Sequence, residues 1–584
     1  MDPGEPTHFN VLIAGTGLHE SILAAALSKA GYSVLQLDSA PYYGTEHASL
    51  SLLELAEWAR STPGAEASSP APPDALKRIS QRFALSLFPV LLRAKGPALD
   101  LLVRSKVASY LQFGLLGGIA LWQAIAAGGK GKAVRVPASK ADVFNDPSLS
   151  LVEKRRLTKL LLFAAGDDAF ESDKVLAAAS DPEIGFVDYL KEGFSLTGTA
   201  ASSLAYALAL CASPSDPALP ALQRLRAMIQ AMGRYGPSPY LVGHYGGAGD
   251  LVGGFSRICA VWGGGQILGR PLLPLDLSPK VGLPVPPPQP PFAVPENRPP
   301  APASSGTTTR PLGIPVVLEE GAEPTTLTGD WVVCSPHLAP TLLPSRAAAG
   351  PSAAGAGGGC DRDAHLIALL DQPVAFPPRA TAAAAEGEPA EGDDEPDSKL
   401  LVFPPGAMGD ARVGTCTALM LGQGTMSCPE GYYILYLAAP LLHGPDDAAG
   451  AEPPSARALL EPYLDALLPT PLTADTPLSP LYSVSYWSPS PSPSSTAAVA
   501  PISANPTWRA PLPLTLPPNL ILTAGPAAAC PAAVVDTLDL VAPAAERTFW
   551  RIVGDDGRAE GVQFFPREGA GQGDNDDDEG DRDE

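Results

Sequence analysis

Residues 9–14 (FNVLIA) form a short apolar, β-branched run that stops at Gly15-Thr16-Gly17. A run of this kind, without polar alternation, predicts a strand buried on both faces. Residues 20–30 then read as a helix rich in Ala, Leu and Ile. Gly31 ends it, and residues 32–37 (YSVLQL) read as a second strand closing on Asp38. Strand, glycine turn, helix and strand in this order predict an α/β fold of the FAD/NAD(P)-binding, Rossmann type. In a working dinucleotide turn the first glycine makes the bend, the second admits the pyrophosphate and the third lets helix and strand pack closely. Here Gly15 and Gly17 are present, but Glu20 stands at the third position. A carboxylate at a helix N-terminus complements the dipole and caps free N–H groups, so it competes with a phosphate for that place. Asp38 is placed to meet a ribose hydroxyl. The turn therefore reads as vestigial, and no cofactor is expected.

The formal charge of −23 disfavours nucleic acid and anionic membrane as partners and favours a basic protein. Seven scattered cysteines with no CxxC indicate neither a disulfide framework nor a zinc site, so the chain reads as intracellular. The N-terminal residues lack the basic region of a signal peptide, and no CaaX cysteine marks the chain for prenylation. The uncharged stretch 107–129 holds five glycines and two glutamines, so it reads as buried strands and a glycine-rich turn rather than a membrane span. The seven histidines show no metal-ligand spacing, and His19 and His47 read as surface residues.

Glycine and proline (57 and 67 residues) exceed a fifth of the chain, against a usual share of about 12%. The excess is concentrated in inserts. The parse is a first part of domain I over 1–147, a helical domain II over 148–233, and a return to domain I over 234–276. A proline-rich disordered insert covers 277–312. The remainder of domain I runs over 313–567, with low-complexity inserts at 345–362, 377–398 and 487–513, and an acidic disordered tail follows at 568–584. Within domain II, 148–170 is expected to be a helix capped by Ser148 or Ser150, and further helices are expected over 202–211 and 218–232.

Three long strings carry a resemblance. The first is GTGLHESILAAALSKAGYSVLQLDSAPYYGTEHAS (15–49), Glu20 included. The second is RYGPSPYLVGHYGGAGDLVGGFSRICAVWGGGQIL (234–268), and the third is VRVPASKADVFNDPSLSLVEKRRLTKLLLF (134–163). Together they resemble the Rab GDP-dissociation inhibitor and Rab escort protein family, and the Val-Pro-x-Ser-Lys-x-Asp-Val-Phe opening of the third is similar to the escort branch.

The resemblance implies a flavin-monooxygenase-like domain I that binds no flavin, and a helical domain II. It implies a non-enzymatic, cytoplasmic accessory of Rab geranylgeranyltransferase with only peripheral, transient membrane contact. Its partners would be GDP-bound Rab GTPases, the α/β transferase heterodimer and the geranylgeranyl lipid of the prenylated Rab. The GTPase-binding platform would comprise Tyr43, Asp250, Arg257, Gly265 and Ile267. The family's polar and Met-like residues are missing at 265 and 267, and Gly246-Gly247-Ala248-Gly249 is one residue longer than the family's Gly-x-Gly. A structural ion pair with Asp250 is the competing reading for Arg257, and packing under the glycine turn for Tyr43. Phe186 is the candidate for an exposed transferase-docking ring, with a core role as its competitor. The alternatives at the level of function are a Rab GDP-dissociation inhibitor that recycles prenylated Rab, and an FAD-dependent oxidoreductase.

Overall fold

A computed structural model describes residues 6–125, 129–136, 150–166, 179–181, 184–275, 287–296, 298–299, 311–319, 321–343, 362–377, 396–442, 454–468, 479–489, 516–523 and 530–565. Residues 137–149 in the third string, the tail 568–584 and most of the low-complexity inserts lie outside the described residues.

The opening motif forms as its sequence predicts. β1 (His8–Ala14) is buried along its whole length and sits inside a six-stranded sheet. Helix α1 (Leu18–Lys29) leads to β2 (Val34–Leu37), which pairs parallel to β1 with Leu12 opposite Leu35. The parallel sheet continues outward on that side to the edge strand β3 (Gly265–Ile267). On the other side of β1 lies β5 (Thr325–Cys334), flanked by antiparallel β4 (Leu312–Val316) and parallel β6 (Leu520–Leu522). α1 is buried on nearly every side, from Leu18 to Ser28, because it is enclosed by the sheet and by two further helices. These are α5 (Ala248–Val261) and α6 (Ala533–Ala559), the latter broken at Gly554 (φ +69°). Val11, Ile13 and Val34 face this helical side, together with Phe255 and Phe549. Leu12, Leu35 and Leu37 face the opposite cluster of Ile314, Val316 and Leu327.

A second sheet was not foreseen as a unit. Its eight strands run in the order Glu66–Ala67, Tyr482–Pro489, Arg362–Leu370, Tyr433–Pro440, Cys416–Leu421, Lys399–Phe403, Gly118–Ile125 and Gly129–Arg135. The uncharged stretch thus supplies strands, and among the described residues no helix is long and apolar enough to cross a membrane. Helix Ala456–Leu467 covers one face of this sheet. The other face is covered by α2 (Leu151–Ala165), α3 (Phe186–Phe194) and α4 (Ala218–Ala231), with a short helix over Gly198–Ser202 that continues as a π-helix over Ser203–Leu208. The helices read as domain II therefore share one core with strands read as domain I: Leu160, Leu190 and Leu225 lie in the same cluster as Ile367, Leu400 and Val402. Ser150 caps α2 in a capping box with Glu153, as one of the two expected positions.

Candidate functional site

The glycine turn is filled by the protein's own side chains. Gly15 has φ +114°, and a Cβ there would lie 2.7 Å from Ser335 Oγ. A Cβ at Gly17 would lie 2.6 Å from Glu20 Oε2, so the Glu20 carboxyl occupies the space above the second glycine. Thr523 Oγ1 donates to Glu20 Oε1 at 2.5 Å. Burial, and then the charge of Glu46, push this carboxyl up to about 7, against the opposing effect of the Thr523 bond. Asp38 is buried and accepts from Thr16 N–H (3.0 Å), Thr16 Oγ1 (2.7 Å) and Ala40 N–H (2.9 Å). Its expected ribose-binding oxygens are thus engaged internally. The residues present do not fit a dinucleotide: a pyrophosphate would meet a carboxyl where it needs N–H donors.

What this closed turn does position is the next loop. Gly44 N–H donates to Thr16 Oγ1 (3.1 Å), and Gly44 adopts φ +107° with Ala48 Cα only 2.8 Å from where a Cβ would stand. This conformation is natural for glycine alone, and it leaves Tyr43 39% exposed while Tyr42 packs on the core. The competing packing role for Tyr43 therefore falls to Tyr42.

The first and second strings meet through Ser49. Its hydroxyl donates to Gly246 O (2.9 Å), and a Cβ at Gly246 or Gly249 would lie 2.2 or 2.3 Å from that oxygen. Gly246 N–H also donates to Ser427 Oγ (3.1 Å). The extra residue in 246–249 is absorbed by three successive left-handed residues, Tyr245, Gly246 and Gly247. The turn leads directly into α5.

On α5, Asp250 and Arg257 are seven residues apart, two turns, and so share a face. Between them Gly253 is exposed, with open space where a side chain would project. Arg257 is exposed, its guanidinium carbon 4.5 Å from the ring centre of Tyr110, and no ion pair joins it to Asp250. The ion-pair alternative is thereby replaced by a cation–π contact. Burial pushes the half-buried Asp250 carboxyl above its usual range.

Gly265 and Ile267 do not join this face. Strand side chains alternate; Gln266 turns toward α5 and donates to Ser256 O (3.3 Å), so positions 265 and 267 turn away from it. Gly265 is buried, and a Cβ there would lie 2.8 Å from Pro291 Cγ and 3.0 Å from Leu35 Cδ1. Ile267 packs on the far cluster. Phe186 also needs correction: it is fully buried and stacks on Tyr189 at 6.2 Å, because the first residue of α3 faces the sheet. The exposed apolar side chains of the helical layer are instead Leu151, Val152 and Leu162 on α2, Leu162 being 66% exposed. His19 and His47 are buried as well, and burial lowers the first to about 4.

Sequence reasoning missed Tyr110, which is 47% exposed within the stretch read only for its lack of charge. It missed Thr523, 503 residues from its partner Glu20. It also missed the buried trio Asp363, His365 and Cys530, whose ligand-type atoms lie within 4.8 Å of one another. In this trio Cys530 N–H donates to Asp363 Oδ2 and His365 Nε2 pairs with Ser488 Oγ. Asp363 and His365 lie two residues apart on one strand, but no spacing signal links them to the distant Cys530.

Fold and site together define a dinucleotide-binding-type α/β protein whose cradle is closed from within and whose neighbouring surface is open. The GDP dissociation inhibitor family model matches residues 5–280, a little under half of the chain. The chain is 32% identical over 286 residues to a Drosophila melanogaster protein named Rab proteins geranylgeranyltransferase component A, covering 45% of this chain and 53% of that one. It is 32% identical over 267 residues to Rab GDP dissociation inhibitor beta of Canis lupus familiaris, covering 45% and 56%. With component A of Saccharomyces cerevisiae the identity is 26% over 444 residues, covering 74% and 61%. The chain thus spans little more than half the length of these relatives. Among solved structures, Rab GDI from Plasmodium falciparum superposes with a TM-score of 0.57 at 19% identity, over 94% of this chain and 98% of that one. An oxidoreductase from Methanosarcina mazei gives 0.50 at 13%, over 92% and 99%. These two likenesses concern the fold.

Proposed function

We propose that the protein is a Rab escort protein, which binds GDP-loaded Rab GTPases, presents them to the α/β heterodimer of Rab geranylgeranyltransferase and chaperones the prenylated Rab through the cytosol to membranes. The observation that carries this reading is the Ser49 junction, which fastens the segment after the exposed Tyr43 to the turn that opens α5, the helix on which Asp250, the bare Gly253 and Arg257 share a face. A tyrosine, an arginine and a carboxylate around a bare helix surface suit a protein partner. Tyr and Arg anchor interfaces, the carboxylate pairs with a basic or N–H-rich loop, and the glycine admits the partner's backbone. Switch segments of a small GTPase loosen without the γ-phosphate, so a surface that prefers that arrangement holds the GDP state by differential affinity alone. No catalytic group is needed, and the protein acts as an accessory. Transferase docking through the helical layer falls to the exposed Leu162 and its neighbours on α2 in place of Phe186.

A Rab GDP-dissociation inhibitor is the second reading, favoured by the equal 32% identity to the dog protein. The longer alignment with yeast component A, 74% of this chain against 45%, favours the escort role. In vitro prenylation separates them. With a Rab, the transferase heterodimer and lipid donor, labelling that depends on this protein identifies an escort. GDP retention on prenylated Rab without stimulated labelling identifies the recycling inhibitor.

A further inference from the structure

Residues 287–296 fall inside the insert read from sequence as disordered, yet they lie as an extended strap across the end of the first sheet. Gln289 N–H donates to His8 O (3.3 Å), at the start of β1, and Phe292 N–H donates to Gly263 O (3.4 Å), just before β3. Beyond the strap, the Arg298 guanidinium donates to Tyr32 O (2.7 Å), ahead of β2. Pro291 fills the space left by the missing side chain of Gly265, and Val294 Cγ1 lies 2.6 Å from where a Cβ of Gly263 would stand. The two glycines are therefore what lets the strap lie flush.

A strap that only covered the strand edge would turn its apolar groups inward. This one turns Pro291 inward and leaves Phe292 57% and Val294 42% exposed; Val261, two residues before the Gly263 that Phe292 bonds, is 55% exposed at the end of α5. Val261 is one helical turn beyond Arg257. A helix of 14 residues is about 21 Å long. A standard interface of about 800 Å² per partner is a patch about 30 Å across. Hence one partner lying along α5 from Asp250 to Arg257 reaches the strap as well. Aromatic groups beside arginine are the usual composition of an interface centre, and a proline-rich segment fastened along its length loses little entropy on binding.

We propose that the strap is the second part of the GTPase-binding surface, with Phe292 as its apolar anchor, supplying contacts that Gly265 and Ile267 do not. This rests on the reading that the exposed face of α5 binds the GTPase. The test measures affinity of the full chain for a GDP-loaded Rab in five forms: wild type, Phe292→Ala, Gly265→Val, the double variant of these two, and Arg257→Ala. Phe292→Ala is expected to weaken binding at least tenfold, with its melting temperature within about 2 °C of wild type. Gly265→Val, which pushes Pro291 away, is expected to lose a similar factor, and the double variant to lose no more than either single one, because both act through the strap. Unchanged affinity in Phe292→Ala makes the strap a cover and overturns the proposal; tighter binding makes it an inhibitory gate and overturns it equally. If Arg257→Ala weakens binding while Phe292→Ala does not, the strap assignment alone fails. If neither variant matters although the wild type binds, the α5 reading fails with it.

Discussion

Glu20 is the residue on which the reading turns, and its own chemistry is testable. In an unfolded chain its pKa is the ordinary 4.5, whereas burial and Glu46 raise it to about 7 in the folded one. Between these values the folded protein holds a proton that the unfolded chain has released. Its contribution to stability is therefore complete below about 4.5 and is lost as pH rises through about 7, a change of at most ~3 kcal/mol. Glu20→Gln keeps an acceptor for Thr523 and cannot ionise, so its melting temperature should fall less than that of the wild type between pH 5 and pH 8. Equal falls would place the pH dependence elsewhere. At the proposed interface, Tyr43→Ala and Arg257→Ala should each weaken binding to GDP-loaded Rab by ~1–2 kcal/mol in a titration. Arg257→Ala should cost less than ~1 kcal/mol of stability, since its contact with Tyr110 is an exposed cation–π pair. Glu20, Asp38 and the pair Tyr43 and Arg257 were legible because each lies inside a long string with local grammar. Tyr110 and Thr523 were not, because they reach the site from elements with no such grammar.

Among the elements, α6 is fastened to the rest of domain I by a buried charge cluster. Arg93, on the short strand Leu91–Arg93, pairs with Asp536 and with Asp539 (2.7 Å), and Asp539 also accepts from Ala98 N–H at the start of helix Pro97–Ser105. Burial disfavours the Arg93 charge, but the two carboxylates outweigh that and raise its pKa. Arg93→Ala strands both carboxylates and should destabilise the protein by ~3–5 kcal/mol in a denaturant titration. Arg93→Met combined with Asn at 536 and 539 should recover most of that loss. On α5, Gly253 faces open space, so Gly253→Leu should raise helix stability by up to ~1 kcal/mol while abolishing GTPase binding. A variant that melted no lower than wild type and still bound would free this face of the role given to it. β1, α1 and β2 followed, to within two residues at each end, from apolar period and glycine stops, whereas α5 was not read as a helix from its sequence. Residues 202–211 were expected to be an ordinary helix, whereas the π-helix over Ser203–Leu208 depends on packing that the local sequence does not encode.

For the whole molecule, a partner that binds only the folded state raises its melting temperature, by an amount equivalent to about 2.7 kcal/mol at a hundredfold excess over Kd. GDP-loaded Rab should therefore raise the melting temperature of this chain, and the same Rab held in its triphosphate form should raise it less. Equal shifts would remove the nucleotide preference from the proposal. At this scale the sequence misplaced one boundary. The helices over 151–231 cover a sheet whose strands come from 66–67, 118–135, 362–440 and 482–489, so the helical part is one side of a shared core rather than a separate body.

The sequence alone determined the local matters: the strand–turn–helix opening, the carboxyl in place of a third glycine, the capped start of α2, and the two strings that hold Tyr43, Asp250 and Arg257. Each of these is written within a few residues, where backbone preference and side-chain chemistry act directly. Tertiary structure decided what these residues face. It joined the two strings through Ser49, buried Phe186 and Gly265, paired Glu20 with Thr523 and laid a proline strap over the sheet end. Those outcomes depend on contacts across tens to hundreds of residues, and no period or motif in a linear chain specifies which distant side chain will fill a given space.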